Sequence, residues 1–152
     1  MWNVVFIDGK PYNLDLTWDD PIGEGVTQNK RYAYFNITDE EILKTHTFSD
    51  ASACCTATDS NYFVKLGRQF DGYNAETKTA LSNMFGGHKS GDKLDVRFSS
   101  EDAYQRAIDG LLKKEEIYRL FSIADAGKGG FSTTQINYIA DDTHCVIEFI
   151  LV

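Results

Sequence analysis

Asp8-Gly9 lies between two short runs rich in apolar, aromatic and β-branched residues, Trp2 to Ile7 and Pro11 to Trp18. A type I′ turn needs positive φ at both central positions, so an Asp-Gly pair in this setting is the strongest short hairpin signal a chain can carry. A two-residue turn also fixes the register. Ile7 faces Lys10, Val4 faces Asn13 and Trp2 faces Asp15. One face then carries Trp2, Val4, Phe6, Asn13, Asp15 and Thr17, and the other Val5, Ile7, Tyr12, Leu14 and Leu16. The second is the cleaner core face, and a one-residue slip would exchange the two. On periodicity alone, Asp15 reads as a solvated strand carboxylate.

Farther along, Asp19 to Lys30 reads as a polar loop, and Asp19-Asp20-Pro21 as a turn rather than a calcium cluster. Tyr32 to Ile37 and Tyr62 to Leu66 suit strands. Thr38-Asp39-Glu40-Glu41 is a capping box opening a short helix to about Lys44. Beyond Gly67 to Tyr73 the pattern changes. Asn74 caps a helix over 75–85 that ends at Gly86-Gly87. Leu94 to Phe98 alternates as a strand. Ser99 caps a helix to about Leu112, with Tyr104, Ile108, Leu111 and Leu112 on one stripe. Another helix spans about 115–124. Phe131 to Ile139 and His144 to Leu151 read as antiparallel strands around Asp141-Asp142. The expectation is an α+β chain: an antiparallel sheet in residues 1–70, then a small module over 71–152 with helices on one face of a sheet.

Composition narrows the partners. Of 152 residues, 15 are Lys or Arg and 23 Asp or Glu, a formal charge of -8. Such a surface repels a nucleic-acid backbone and anionic lipid, so neither is an expected partner. No apolar run approaches the roughly 20 residues of a membrane helix, and no signal peptide follows Met1. Three Cys make no complete disulfide framework. His46, Cys54 and Cys55 lack the usual zinc spacing and a fourth ligand, so neither a metal nor another cofactor is expected. Pairing of His46 with Cys54 or Cys55 reads as chance proximity, and His144 and Cys145, neighbours on a strand, point to opposite faces. Gly127 to Gly130 follows a helix rather than a strand and is a poor phosphate loop.

The run from Trp2 to Pro21, WNVVFIDGKPYNLDLTWDDP, resembles the segment of transglutaminase-like domains written H-x-W-N-x-V-x-I-D-G-x-W-Y-x-V-D-x-T-W-D-D-P. Tyr34 to Glu41, His46 and Asn61 to Lys65 extend the likeness. The stretch from Leu94 resembles, more softly, a C-terminal module of bacterial members. The resemblance implies a papain-like fold and a Cys-His-Asp triad in which the thiolate attacks, the imidazole is its base and the carboxylate orients the ring. Asp15 matches the triad Asp, with Trp2, Asn13 and Trp18 as the active-site wall. The triad His would stand two positions before Trp2, and the Cys further upstream. The hairpin register by itself sets a residue just ahead of Met1 diagonal to Asp15.

The expectation is therefore a truncated transglutaminase-like chain, inactive as it stands. Its full-length relatives would hydrolyse or transfer peptide amides of a protein substrate, at the cell surface or outside the cell. The alternative is a non-catalytic protein- or glycan-binding module on a degenerate scaffold of the same kind. Removing half a core would uncover the face of Trp2, Val4 and Phe6, so self-association through the N-terminal hairpin is also expected.

Overall fold

The structure is a computed structural model that describes residues 2–19, 32–48, 54–123 and 130–152. The chain divides into two compact units, Met1–Arg68 and Gln69–Val152. Its class is α+β, with a two-stranded and a four-stranded sheet.

The first unit opens with strands β1 (Asn3–Ile7) and β2 (Lys10–Leu14), paired as Ile7 with Lys10 and Val4 with Asn13. Asp8 and Gly9 have φ of 51° and 76°, the two positive angles that a type I′ turn requires. The second strand stops earlier than its β-prone sequence suggests. Asp15 Oδ1 accepts the N–H groups of Thr17 (3.0 Å) and Trp18 (3.2 Å), and Asp19 N–H bonds back to Asp15 O. This local carboxylate cap turns Leu16–Asp19 into a one-turn helix, α1. Burial on the hairpin keeps Tyr12 of the expected core face fully buried and Phe6 of the other face exposed, but departs from the expected pattern toward the end of β2. Leu16 is exposed, whereas Asn13 and Asp15 are 0% and 1% exposed.

Residues 32–37 form turns rather than the expected strand. Asn36 takes a left-handed φ of 54°, which breaks an extended run, and Ile37 alone bridges to Asn13. Helix α2 (Asp39–Ile42) starts as its capping box indicates, with the Thr38 hydroxyl accepting Glu41 N–H at 3.3 Å. The Glu41 carboxylate pairs forward with Lys44. Residues 62–66 are also not a strand, because the Asn61 side chain accepts Phe63 N–H at 3.0 Å and starts a helical turn, α3 (Tyr62–Lys65). Tyr62 then stacks on Tyr32 at 3.9 Å, and Phe63 is fully buried. The polar stretch 20–30, and with it Asp20-Pro21, lies outside the described residues, as does 127–129 of the glycine-rich loop.

The second unit begins with a short edge strand, β3 (Gln69–Phe70), so the sheet of this unit reaches into the sequence assigned to the first region. Helix α4 (Ala75–Phe85) is capped by Asn74, whose side chain accepts Thr77 N–H. Strand β4 (Lys93–Phe98) pairs parallel with β3. Ser100, not Ser99, caps α5 (Glu101–Ala107), since its Oγ accepts Ala103 N–H at 3.2 Å. That helix widens into a π-helical segment, Ile108–Lys113. There Gly110 makes room for Tyr73: a Cβ at this position would lie 2.2 Å from its ring and displace it, while the Tyr73 hydroxyl donates to Glu116 at 2.5 Å. Helix α6 (Glu116–Ile123) and the antiparallel strands β5 (Ile136–Asp141) and β6 (Val146–Leu151) complete the unit. The sheet order is β3-β4-β6-β5.

Helices pack on one face of this sheet. Leu94, Val96 and Phe98 of β4 and Ile147, Phe149 and Leu151 of β6 meet Leu81, Phe85, Tyr104, Leu111, Ile117 and Phe121 in one buried cluster. Ile108 and Leu112 pack against its margin. Among the described residues no helix is long and apolar enough to cross a membrane.

Candidate functional site

His46 and the first N–H groups of α1 converge on Asp15. Its Oδ1 is committed to the N–H groups of α1, which leaves Oδ2 for one further donor. That donor comes from His46, 31 residues along the chain, whose Nε2 lies 3.2 Å from Oδ2. The His46 side chain is 8% exposed. Thr38 starts α2, its last turn carries His46 N–H onto Ile42 O, and the imidazole is thereby delivered beside the end of β2. The resemblance implies an imidazole at Asp15 from upstream of Met1. Among the described residues the imidazole at Asp15 Oδ2 is that of His46.

Three aromatic rings enclose the imidazole. Trp2 meets it edge-on at 5.1 Å, Trp18 lies at 4.7 Å and Tyr34 at 5.4 Å between centroids. Trp2 and Trp18, two of the three residues expected as a wall, thus touch the ring itself. The third, Asn13, bonds to Trp2. Its Oδ1 accepts the Trp2 indole N–H at 3.0 Å, and its Nδ2 donates to Asp39 Oδ1 at 2.8 Å. Asp39 Oδ2 accepts Cys55 N–H at 3.0 Å. The line Asp39–Asn13–Trp2 fixes the indole against His46, and nothing in the local sequence marked Asp39 as its anchor.

Among the described residues no hydrogen bond joins a cysteine to the imidazole. Burial, and then the Asp39 carboxylate beside it, push the Cys55 thiol up to about 11. It is therefore a thiol rather than a thiolate near neutral pH, and a poor nucleophile. Cys54 is exposed and Cys145 buried in the second unit. Among the described residues no group of three His, Cys, Asp or Glu side chains is arranged to hold a metal ion.

Asp19 is the second buried carboxyl of the site, at 5% exposure. Its Oδ1 accepts Tyr34 N–H at 2.8 Å, and among the described residues its Oδ2 has no hydrogen-bond partner. Burial raises its pKa from 3.8 to about 7; the Asp15 carboxylate adds to the rise, and the Tyr34 N–H opposes it. Between these two values the folded unit holds a proton that the unfolded chain has released. Stability contributed by this group is therefore complete below about 3.8 and is lost as pH rises to about 7. Asp19→Asn keeps the acceptor for Tyr34 and removes the titration. Urea unfolding followed by tryptophan fluorescence should show a fall across this window in the wild type and a flatter profile in the variant. Superimposable profiles would refute the assignment.

In comparison with known proteins, no family model matches the chain and no curated sequence matches it.

Proposed function

We propose that Met1–Arg68 is the imidazole–carboxylate part of a transglutaminase-like core, in which Asp15 orients a histidine for thiol acyl chemistry. The observation that carries this reading is the setting of Asp15: buried, held by two backbone N–H groups, and directed at an imidazole walled by Trp2 and Trp18. A carboxylate so placed selects one ring tautomer and stabilises the imidazolium that forms when the ring accepts a proton. The orienting carboxylate and the wall are the residues for which the resemblance supplies roles. No cysteine is among the described hydrogen-bond or ring contacts of His46, so this chain is expected not to hydrolyse or transfer protein amides.

Long-range proton–nitrogen correlation spectra test the oriented pair. Neutral His46 should carry its proton on Nε2 in the wild type and lose that preference in Asp15→Asn. A ring protonated on Nδ1 would overturn the reading.

A second reading, a non-catalytic protein-binding module, is favoured by the hairpin surface. Asn13 turns its backbone N–H and C=O away from β1 toward Ile37, so Val4 opposite it turns its own outward on the free side. Among the described residues β1 pairs with β2 alone, and Phe6 is 68% exposed. An uncharged, β-prone edge of this kind is a template for another strand. Sedimentation velocity over a concentration series should show reversible self-association that Val4→Lys with Phe6→Lys abolishes. A wild-type chain that stays monomeric throughout would exclude it.

A further inference from the structure

We propose that Thr45, His46 and Asp15 form a hydroxyl–imidazole–carboxylate relay through which the Thr45 hydroxyl accepts an acyl group from small activated esters. This rests on the oriented pair described above and adds a nucleophile to it. Thr45 Oγ1 lies 2.8 Å from His46 Nδ1, and across the ring Nε2 lies 3.2 Å from Asp15 Oδ2. Asp15 decides the direction of the relay. A carboxylate accepts and has no proton to give, so Nε2 is the nitrogen that donates. A neutral imidazole has a single N–H, which leaves the Nδ1 lone pair facing Thr45 and makes the hydroxyl the donor. The other acceptor near Thr45, the Ile42 carbonyl, is at 3.5 Å, beyond normal O–H···O length.

Exposure is graded in the direction catalysis needs. Thr45 is exposed, His46 is screened by Trp2, Trp18 and Tyr34, and Asp15 is buried beneath it. A small ester can reach the hydroxyl, while the ion pair that forms behind it is shielded from water and strengthened by the lower local dielectric.

In the acylation step Oγ1 bonds to the ester carbonyl carbon as its proton passes to Nδ1. The carbonyl carbon–oxygen bond to the leaving group then breaks, the leaving oxygen departs with the electron pair, and the imidazolium returns its proton to that anion or to water. Attack of water on the acyl-threonine, with Nδ1 again taking the proton, releases the carboxylic acid and restores the hydroxyl. Aryl esters fit because a phenolate leaves without a proton donor. Protein amides do not, because their nitrogen must be protonated to leave.

The test uses the full chain with p-nitrophenyl acetate, nitrophenolate release, and tandem mass spectrometry of the labelled protein. Acetyl is expected on Thr45, absent in Thr45→Val and retained in Thr45→Ser. Asp15→Asn should slow labelling of Thr45 about a hundredfold, the usual order for general base assistance. Label confined to Cys54, the lysines and the amino terminus would overturn the relay, as would equal labelling of Thr45 in wild type and folded Asp15→Asn. If Asp15→Asn does not fold, Thr45→Val, an exposed change, decides by itself: nitrophenolate release equal to wild type refutes the relay. The two levels separate cleanly. An Nε2-protonated ring with unlabelled Thr45 refutes the relay and leaves the oriented pair standing. A ring protonated on Nδ1 removes both.

Discussion

Asp15→Ala is expected to destabilise the first unit by about 2–4 kcal/mol. About 1 kcal/mol is the loss of the cap over Thr17 and Trp18 N–H, and about 1–3 kcal/mol the His46 ring nitrogen left without its acceptor. The carboxylate is 1% exposed and the imidazole 8%, so water does not replace the lost bond. The readout is specific. The chain has two tryptophans, Trp2 and Trp18, and both touch His46. Their fluorescence reports on this unit directly, and the urea midpoint should fall in the variant. Asp15 also adds to the raised pKa of Asp19, so its removal should move the pH-dependent fall in stability to lower pH. A double-mutant cycle between Asp15 and Asp19 should accordingly be non-additive. An unchanged midpoint would mean that the pair contributes nothing to the fold.

In the second unit, Phe121→Ala is expected to cost about 3–5 kcal/mol, the range for deleting a buried phenylalanine. Phe121 is fully buried and meets three rings edge-to-face: Phe85 at 4.9 Å, Phe131 at 5.2 Å and Tyr118 at 6.3 Å. Phe85 in turn meets Phe149 of the central strand β6 at 5.3 Å. The substitution leaves a cavity where the helical layer meets the sheet. Domains are stable by only about 5–15 kcal/mol, so this is a large fraction of the total. Amide hydrogen exchange at β4 and β6 should accelerate to match the lost stability, and Phe121→Leu should recover most of it. A loss under about 1 kcal/mol would show that the layer collapses to fill the space.

The elements legible in the sequence share one property. The Asp8-Gly9 turn, the Thr38 and Asn74 caps and the alternation of Leu94, Val96 and Phe98 are each decided within a few residues. The misreadings are local signals of that kind overriding β-propensity, or long-range contacts. Residues 62–64 are aromatic or β-branched and β-prone, yet the Asn61 cap makes them helical. Trp18 is β-prone, yet the Asp15 cap turns it out of the strand. Ser100 rather than Ser99 starts α5 because its hydroxyl is the one aligned with the Ala103 N–H.

The sequence alone determined the hairpin and its register, the α+β class, and a face on which Asp15 lies with Trp2 and Asn13; Trp18 joined them only through the resemblance. The first three follow from turn sterics and side-chain alternation, both short-range. The tertiary structure alone decided that Asp15 is buried, that Asp19 lies close enough to share its field, and that the imidazole facing it belongs to His46. A buried carboxylate must find a donor wherever the chain can bring one, and that choice is made by desolvation and packing across 31 residues rather than by spacing.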